Sequence, residues 1–316
     1  MKPAIGICAV LLGSLAATAQ ATDLNSKTVS FAFAWEPGLS GTGETKVSGT
    51  AARVPGSIIR FTFVTDGVGE NLRVRHLLTG FSPEPTNDES ELFARMTGAV
   101  TEPDILVSNS GRFVGLQDVG ALRAALRADV SDTFERKHMT RPDSTNFDRY
   151  IETATAQPRL EGRLAEDWHR RVSRWIGVRA RVGNEYQIND VVMLPIAGQA
   201  QPKLTMHGTY TITQLQPCVR ARVSRVCAVI QMHLQPDGED LDRVTNEVYG
   251  KATDGKPKPG SVQAMTVSVD AEVVTEPDGL VTHRYTISKH IEMNLSDDGK
   301  SVQRMSDERE TTYLYP

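Results

Sequence analysis

Two long stretches in which apolar and polar residues alternate enclose a middle block whose apolar residues recur every three or four positions. This order constrains the fold more than any other feature of the chain. Near the N-terminus Val29, Phe31, Phe33 and Trp35 alternate with Ser30, Ala32 and Ala34, the period of a strand with one strongly apolar face. Pro37-Gly38 and Gly41-Thr42-Gly43 end it. Further strands are expected over 44–54, over 58–64 with Asp66-Gly67 as the following turn, and over 72–78. Residues 81–91 are polar and read as a surface loop. The runs 105–108 and 112–116 flank Asn109-Ser110-Gly111, a compact hairpin signal. Turns this closely spaced favour a meander over crossover connections.

The period changes at Asp118, a plausible N-cap for an amphipathic helix over 118–134 carrying Val119, Leu122, Leu126 and Val130. Helix resumes near Phe147. The strongest helical signal covers 158–176, where Leu160, Leu164, Trp168, Val172, Trp175 and Ile176 form one stripe and Gly177 stops it. Strands then return over 204–214, 219–234, 262–274, 280–291 and 301–314, with Asp278-Gly279 and Asp298-Gly299 placed as hairpin turns. Residues 255–260 read as an exposed loop.

Strands, then helices, then strands give an α+β fold in which antiparallel sheet dominates. The central helices must bury their Leu/Trp stripes, and the Phe/Ile face of the sheet is the obvious partner. The expected architecture is a curved antiparallel sheet, or a partial β-barrel, packed on a central helical segment. An N-terminal β region (22–116), a helical region (117–185) and a C-terminal β region (186–316) follow, the two β regions forming one domain. The pentapeptide Val100-Thr101-Glu102-Pro103-Asp104 recurs at 274–278. No helix like that at 118–134 follows the second copy, which favours coincidence over duplication.

Residues 1–21 read as a cleavable secretory signal. Lys2 precedes an uncharged apolar run from Ala4 to Ala17, and Ala19-Gln20-Ala21 supplies small residues at the −3 and −1 positions. The run falls short of the roughly 20 residues of a membrane span. Cys8 lies inside it rather than at a lipoprotein cleavage site, and no later segment is long and apolar enough to span. The mature chain is therefore expected to be soluble and exported, periplasmic or extracellular. Cleavage removes Cys8 and leaves Cys218 and Cys227, which in an oxidising compartment read as a disulfide. Closing so short a loop constrains the unfolded chain by roughly 2.7 kcal/mol in the entropy model. The spacing is not that of a C-x-x-C redox pair.

With 35 Lys+Arg against 39 Asp+Glu the formal net charge is −4, which gives no overall attraction to nucleic acid. Locally, however, arginines outnumber Glu161, Glu166 and Asp167 between Arg159 and Arg181. Arg163, Arg170 and Arg174 lie off the apolar stripe. Guanidinium forks suit phosphate or carboxylate, so these three are candidate anion-facing residues; a solvated helix face is the simpler alternative. The nearest approach to a hydrolase elbow, Gly38-Leu39-Ser40-Gly41-Thr42, lacks the final glycine and leads into a strand. The 7 histidines show no metal-ligand spacing, so no metal and no cofactor are expected. The acidic run at 237–242 lacks the ligand order of a calcium loop and reads as a turn followed by a helix start.

The export signal, the 105–116 hairpin leading into a helix, and the terminal strands from Thr282 to Tyr315 resemble the poorly characterised secreted β-rich proteins of bacterial envelopes. That resemblance implies no site residues. The architecture is more loosely similar to periplasmic lipoprotein carriers, whose half-barrels cover helices. With no catalytic constellation in the sequence, the expectation is a non-catalytic exported envelope protein that binds a ligand or partner. An amphiphile or lipid carrier is its most concrete form. A hydrolase acting on envelope components, its residues drawn from separate strands, is the alternative.

Overall fold

The structure, a computed structural model, describes residues 27–49, 56–82, 97–98, 100–136, 144–194, 203–218, 225–249, 262–295 and 301–316. The signal at 1–21, residues 50–54 and 219–224 of two expected strands, the loop at 255–260 and the Asp298-Gly299 turn lie outside the described residues, as does the expected loop at 81–91 apart from its first two residues, which belong to a strand.

Strand β1 (Thr28–Ser30) pairs with β7 (Arg179–Arg181) in a small two-stranded sheet. The N-terminal meander comprises β2 (Ser40–Ser48), β3 (Ser57–Val68), β4 (Asn71–Ser82), β5 (Ile105–Ser108) and β6 (Phe113–Leu116). The C-terminal strands are β8 (Glu185–Met193), β9 (Lys203–Pro217), β10 (Val226–Pro236), β11 (Val262–Thr275), β12 (Thr282–Leu295) and β13 (Ser301–Leu314). Between the two sets come α1 (Val119–Arg136), α2 (Ser144–Ala154) and α3 (Gln157–Arg171); α4 (Gly238–Tyr249) follows β10. Both sets of strands join in one 11-stranded antiparallel sheet of order β6-β5-β4-β3-β2-β13-β12-β11-β10-β9-β8. The seam is the pairing of β13 with β2, from Glu308 opposite Ser48 to Leu314 opposite Thr42.

This order puts β6 and β8, the strands on either side of the helical segment, at opposite edges of the sheet. Helix α3 nevertheless touches both. Glu161 Oε1 accepts from the β6 amide of Leu116 at 3.4 Å, and Glu166 Oε2 accepts from the β8 amide of Met193 at 2.9 Å. Glu166 also meets Lys289 of β12, near the middle of the sheet, at 2.7 Å. Laid flat, such a sheet would be about 48 Å across at the normal strand spacing, whereas α3 is only about 22 Å long. One helix reaches both edges because the sheet curves around it.

Local chemistry explains most of the elements. Asp118 caps α1, its Oδ1 accepting from the Ala121 amide at 2.8 Å. Proline in the first turn of α3 costs no helical hydrogen bond. The α3 stripe is buried as its period requires, and both indole N–H groups find carbonyls: Trp168 to Gly111 at 2.8 Å and Trp175 to Arg170 at 2.7 Å. Cys218 and Cys227 form a disulfide with Cα atoms 5.0 Å apart.

Some boundaries differ from the sequence expectation. The alternation at 29–35 keeps Phe31 buried and Ala32 and Ala34 exposed, but only its first residues form a strand. The backbone beyond bonds instead to Val178 and Pro277, at 3.0 and 2.9 Å. β3 runs through Asp66-Gly67 because Asp66 sits opposite Arg73 and forms an ion pair with it at 3.2 Å. The turn is made by Gly69, at φ +59, instead. β8 has no counterpart among the expected strands, because Asp190 interrupts the apolar side that Tyr186, Ile188 and Val192 would otherwise mark. The recurring pentapeptide occupies two different settings: one copy leads into β5, the other ends β11 and enters the turn to β12.

Candidate binding cavity and buried ion network

The inner side of the sheet is not uniformly apolar. Along β13 the alternation that buries Thr311 and Tyr313 also turns Asp307 and Arg309 inward, and on β12 it buries Lys289 between Ile287 and Ile291. Facing them, α3 presents charges as well as its Leu/Trp stripe. Glu166 Oε1 accepts from Arg170 at 2.6 Å and from Lys289 at 2.7 Å. Arg170 Nε donates to Asp190 of β8 at 2.8 Å, and Arg174 reaches the other oxygen of Asp190 at 2.9 Å. Burial pushes the Glu166 carboxyl up, but the Lys289 ammonium and the Arg170 guanidinium outweigh it and bring it down to about 2. Next to this group, Arg309 lies 3.5 Å from Asp167, and the Arg171 guanidinium donates to the Tyr313 hydroxyl and sits 5.8 Å from the Tyr285 ring centre. Burial pushes both tyrosine hydroxyls up, so both stay protonated.

All three arginines singled out from the sequence are engaged inside the protein. Arg170 is fully buried between Glu166 and Asp190. Arg174 binds Asp190 and the Asn189 carbonyl. Arg163 donates to the Val100 carbonyl and, at 3.4 Å, to that of Thr101; burial first, and Arg309 second, lower it to about 10. Arg163 therefore fixes the backbone just before Glu102. Arg170 is not on a solvated face, because α3 is covered on its polar side by β8 and β12 as well as on its apolar side.

The segment that Arg163 holds forms one wall of a cavity of about 680 Å³ between β4 and α1. Phe61, Leu78, Leu116, Leu122 and Leu126 supply apolar lining. Polar groups converge at one place. His76, on β4, has a side chain only 8% exposed, and its Nδ1–H donates to the Pro103 carbonyl at 3.1 Å. A carbonyl can only accept, so the proton is on Nδ1 and Nε2 carries a lone pair. Burial lowers the His76 pKa, the nearby Glu102 opposing, and the ring is neutral. Glu102 Oε2 lies 3.9 Å from Nε2, too far for a hydrogen bond. The other Glu102 oxygen accepts from Thr45 at 3.1 Å, and Thr45 in turn accepts from Thr311 at 3.0 Å. Asp104 Oδ1 accepts from the His76 amide at 3.0 Å. No sequence motif marked His76 and Glu102; the only hint was the recurring pentapeptide that contains Glu102.

Other constellations are less developed. Ser173 with His169 and Ser288 with His290 are hydrogen-bonded at 3.1 and 2.8 Å, but both pairs are exposed and, among the described residues, neither ring is hydrogen-bonded to a carboxylate. Among the described residues the one convergence of three metal-ligand side chains is Cys218, Cys227 and His283, within 4.8 Å of one another. There the sulfurs are bonded to each other, and His283 Nε2 is 2.9 Å from Glu276. No described helix is long and apolar enough to cross a membrane. No protein-family model matches this chain, and no curated protein matches it significantly.

Proposed function

We propose that this chain is an exported, non-catalytic binding protein that holds an amphiphile in the cavity between β4 and α1. The cavity is the observation that carries the proposal. Its volume is within the usual range for small-molecule sites, and it combines an apolar lining with a few polar groups gathered at one point. An apolar chain against Leu78, Leu122 and Leu126 and a polar end near His76 and Glu102 would match that division. Export is supported by the leader and by a disulfide in a chain with only two cysteines beyond it. Membership of the secreted β-rich envelope proteins belongs to the same proposal.

The test is to purify the mature chain gently, examine it by native mass spectrometry, and titrate it with an environment-sensitive apolar dye. Bound amphiphile, or saturable dye binding that Ala125→Trp abolishes without lowering the melting temperature, supports the proposal. Ala125 lines the cavity, and the added indole would occupy it. A protein that carries nothing and binds no dye overturns it.

A further inference from the structure

The polar end of the cavity has a chemical preference that its volume alone does not reveal. His76 Nε2 and Glu102 Oε2 are both hydrogen-bond acceptors, 3.9 Å apart, with no donor hydrogen-bonded to either of these atoms among the described residues. An atom placed about 2.8 Å from each would make two good hydrogen bonds at once. It must carry at least two hydrogens to do so. Four carboxylates, those of Glu102, Asp104, Asp118 and Asp129, line the cavity, against one guanidinium, that of Arg73. Arg73 shares Asp66 with Arg75, at 3.2 and 2.6 Å, and its Nε is a buried donor without a hydrogen-bond partner among the described residues. Two further guanidiniums stand near this end, Arg171 acting on both Glu102 and His76 and Arg163 acting on Glu102; Arg171 also faces Asp167 and donates to the Tyr313 hydroxyl, and Arg163 donates to the Val100 carbonyl. The Gln117 Oε1 atom, also in the lining, is a buried acceptor without a partner. His76 Nε2, Glu102 Oε2 and Gln117 Oε1 are thus three open acceptors in the lining against one open donor, Arg73 Nε.

We propose that the amphiphile is a long-chain amine, its primary ammonium donating one N–H to His76 Nε2 and another to Glu102 Oε2. A carboxylate headgroup would face lone pairs and like charge here. An alcohol has one hydrogen and can serve only one of the two acceptors. Arg163 is a positioning residue in this arrangement, since it holds the Val100 and Thr101 carbonyls and so the approach of Glu102 to His76.

This inference rests on the cavity being a binding site, and the experiment separates the two. The mature chain is titrated calorimetrically at neutral pH with dodecylamine, dodecanol and dodecanoate, each below its micellar concentration. One-to-one binding of dodecylamine at least tenfold tighter than of either other probe is expected. Glu102→Gln should abolish that preference, because the glutamine amide oxygen still accepts from Thr45 while an NH2 group, which cannot accept from an ammonium, takes the place of Oε2. His76→Asn, whose amide N–H can donate to the Pro103 carbonyl but which is too short to place an acceptor where Nε2 stood, should reduce the preference by a similar factor and stands in if Glu102→Gln does not fold. Equal affinity for all three probes, or a preference unaffected by the substitution, overturns the ammonium assignment and leaves the cavity a general amphiphile site. Failure to bind any of the three overturns the binding proposal itself.

Discussion

Lys289 on β12 and Glu166 on α3, 123 residues apart in the chain, meet at 2.7 Å in the interior. Neither is paired with the other alone. Glu166 also takes the Arg170 guanidinium and the Met193 amide, so one carboxylate ties α3 to itself, to an edge strand and to the middle of the sheet.

Breaking this link from one side should be costly. Glu166→Gln leaves Lys289 with a much weakened partner and removes one of the two carboxylates on Arg170, and we expect a loss of roughly 3–5 kcal/mol in urea unfolding followed by tryptophan fluorescence. Lys289→Met should cost less, since Arg170 still neutralises Glu166. The double variant Glu166→Gln/Lys289→Met should be more stable than the sum of the two predicts, because neither charge is then left stranded. Strict additivity would mean that the two groups are not coupled.

Acid should act through the same carboxyl. Glu166 is held near 2 in the folded chain, below its ordinary value of 4.5, so it binds protons more weakly folded than unfolded. The stability it provides is fully present above the unfolded value and is lost as pH falls from about 4.5 towards 2. It amounts to roughly 3 kcal/mol. In Glu166→Gln this part of the acid sensitivity should disappear, which thermal melts across pH 2–6 would show as a flatter curve.

Gly43 on β2 lies opposite Tyr313 on one side and Phe61 on the other. The Phe61 ring lies against it where a Cβ would stand. Gly43→Ala therefore forces an aromatic ring that also walls the cavity to move, at a cost of about 1–3 kcal/mol. A lowered melting temperature with an altered near-ultraviolet circular dichroism spectrum is the expected result.

Replacing Cys218 and Cys227 by serine together should lower stability by about 2.7 kcal/mol, the loop-closure entropy of a short ring. Both sulfurs sit in a small cluster with Val229 and Val274 rather than in the main core. The native far-ultraviolet spectrum should therefore persist below the melting temperature, and reduction of the wild-type chain should reproduce the shift.

The α+β class and most of the elements were legible because they depend on neighbours in sequence. The stripe from Leu160 to Trp175, the capping Asp118, the hairpin at Asn109 to Gly111 and the strands β9 to β13 follow from periodicity and turn chemistry. The candidate site was not legible in the same way. His76 belongs to β4 and Glu102 to the segment before β5, and they face each other because β4 pairs with β5 and Arg163 of α3 holds the intervening backbone. No spacing in the chain encodes that meeting.

By itself, then, the sequence determined the order of strands and helices, the apolar face of each, and the cysteines available to pair. Tertiary structure alone decided that charged faces also lie inside. A periodic pattern records which side of an element is apolar; whether the other side meets water depends on what folds over it. Arg170 and Lys289 are interior residues because the sheet curves far enough to enclose α3 from both sides, and the hydrogen bonds of Glu166 and Asp190 replace the water they lose.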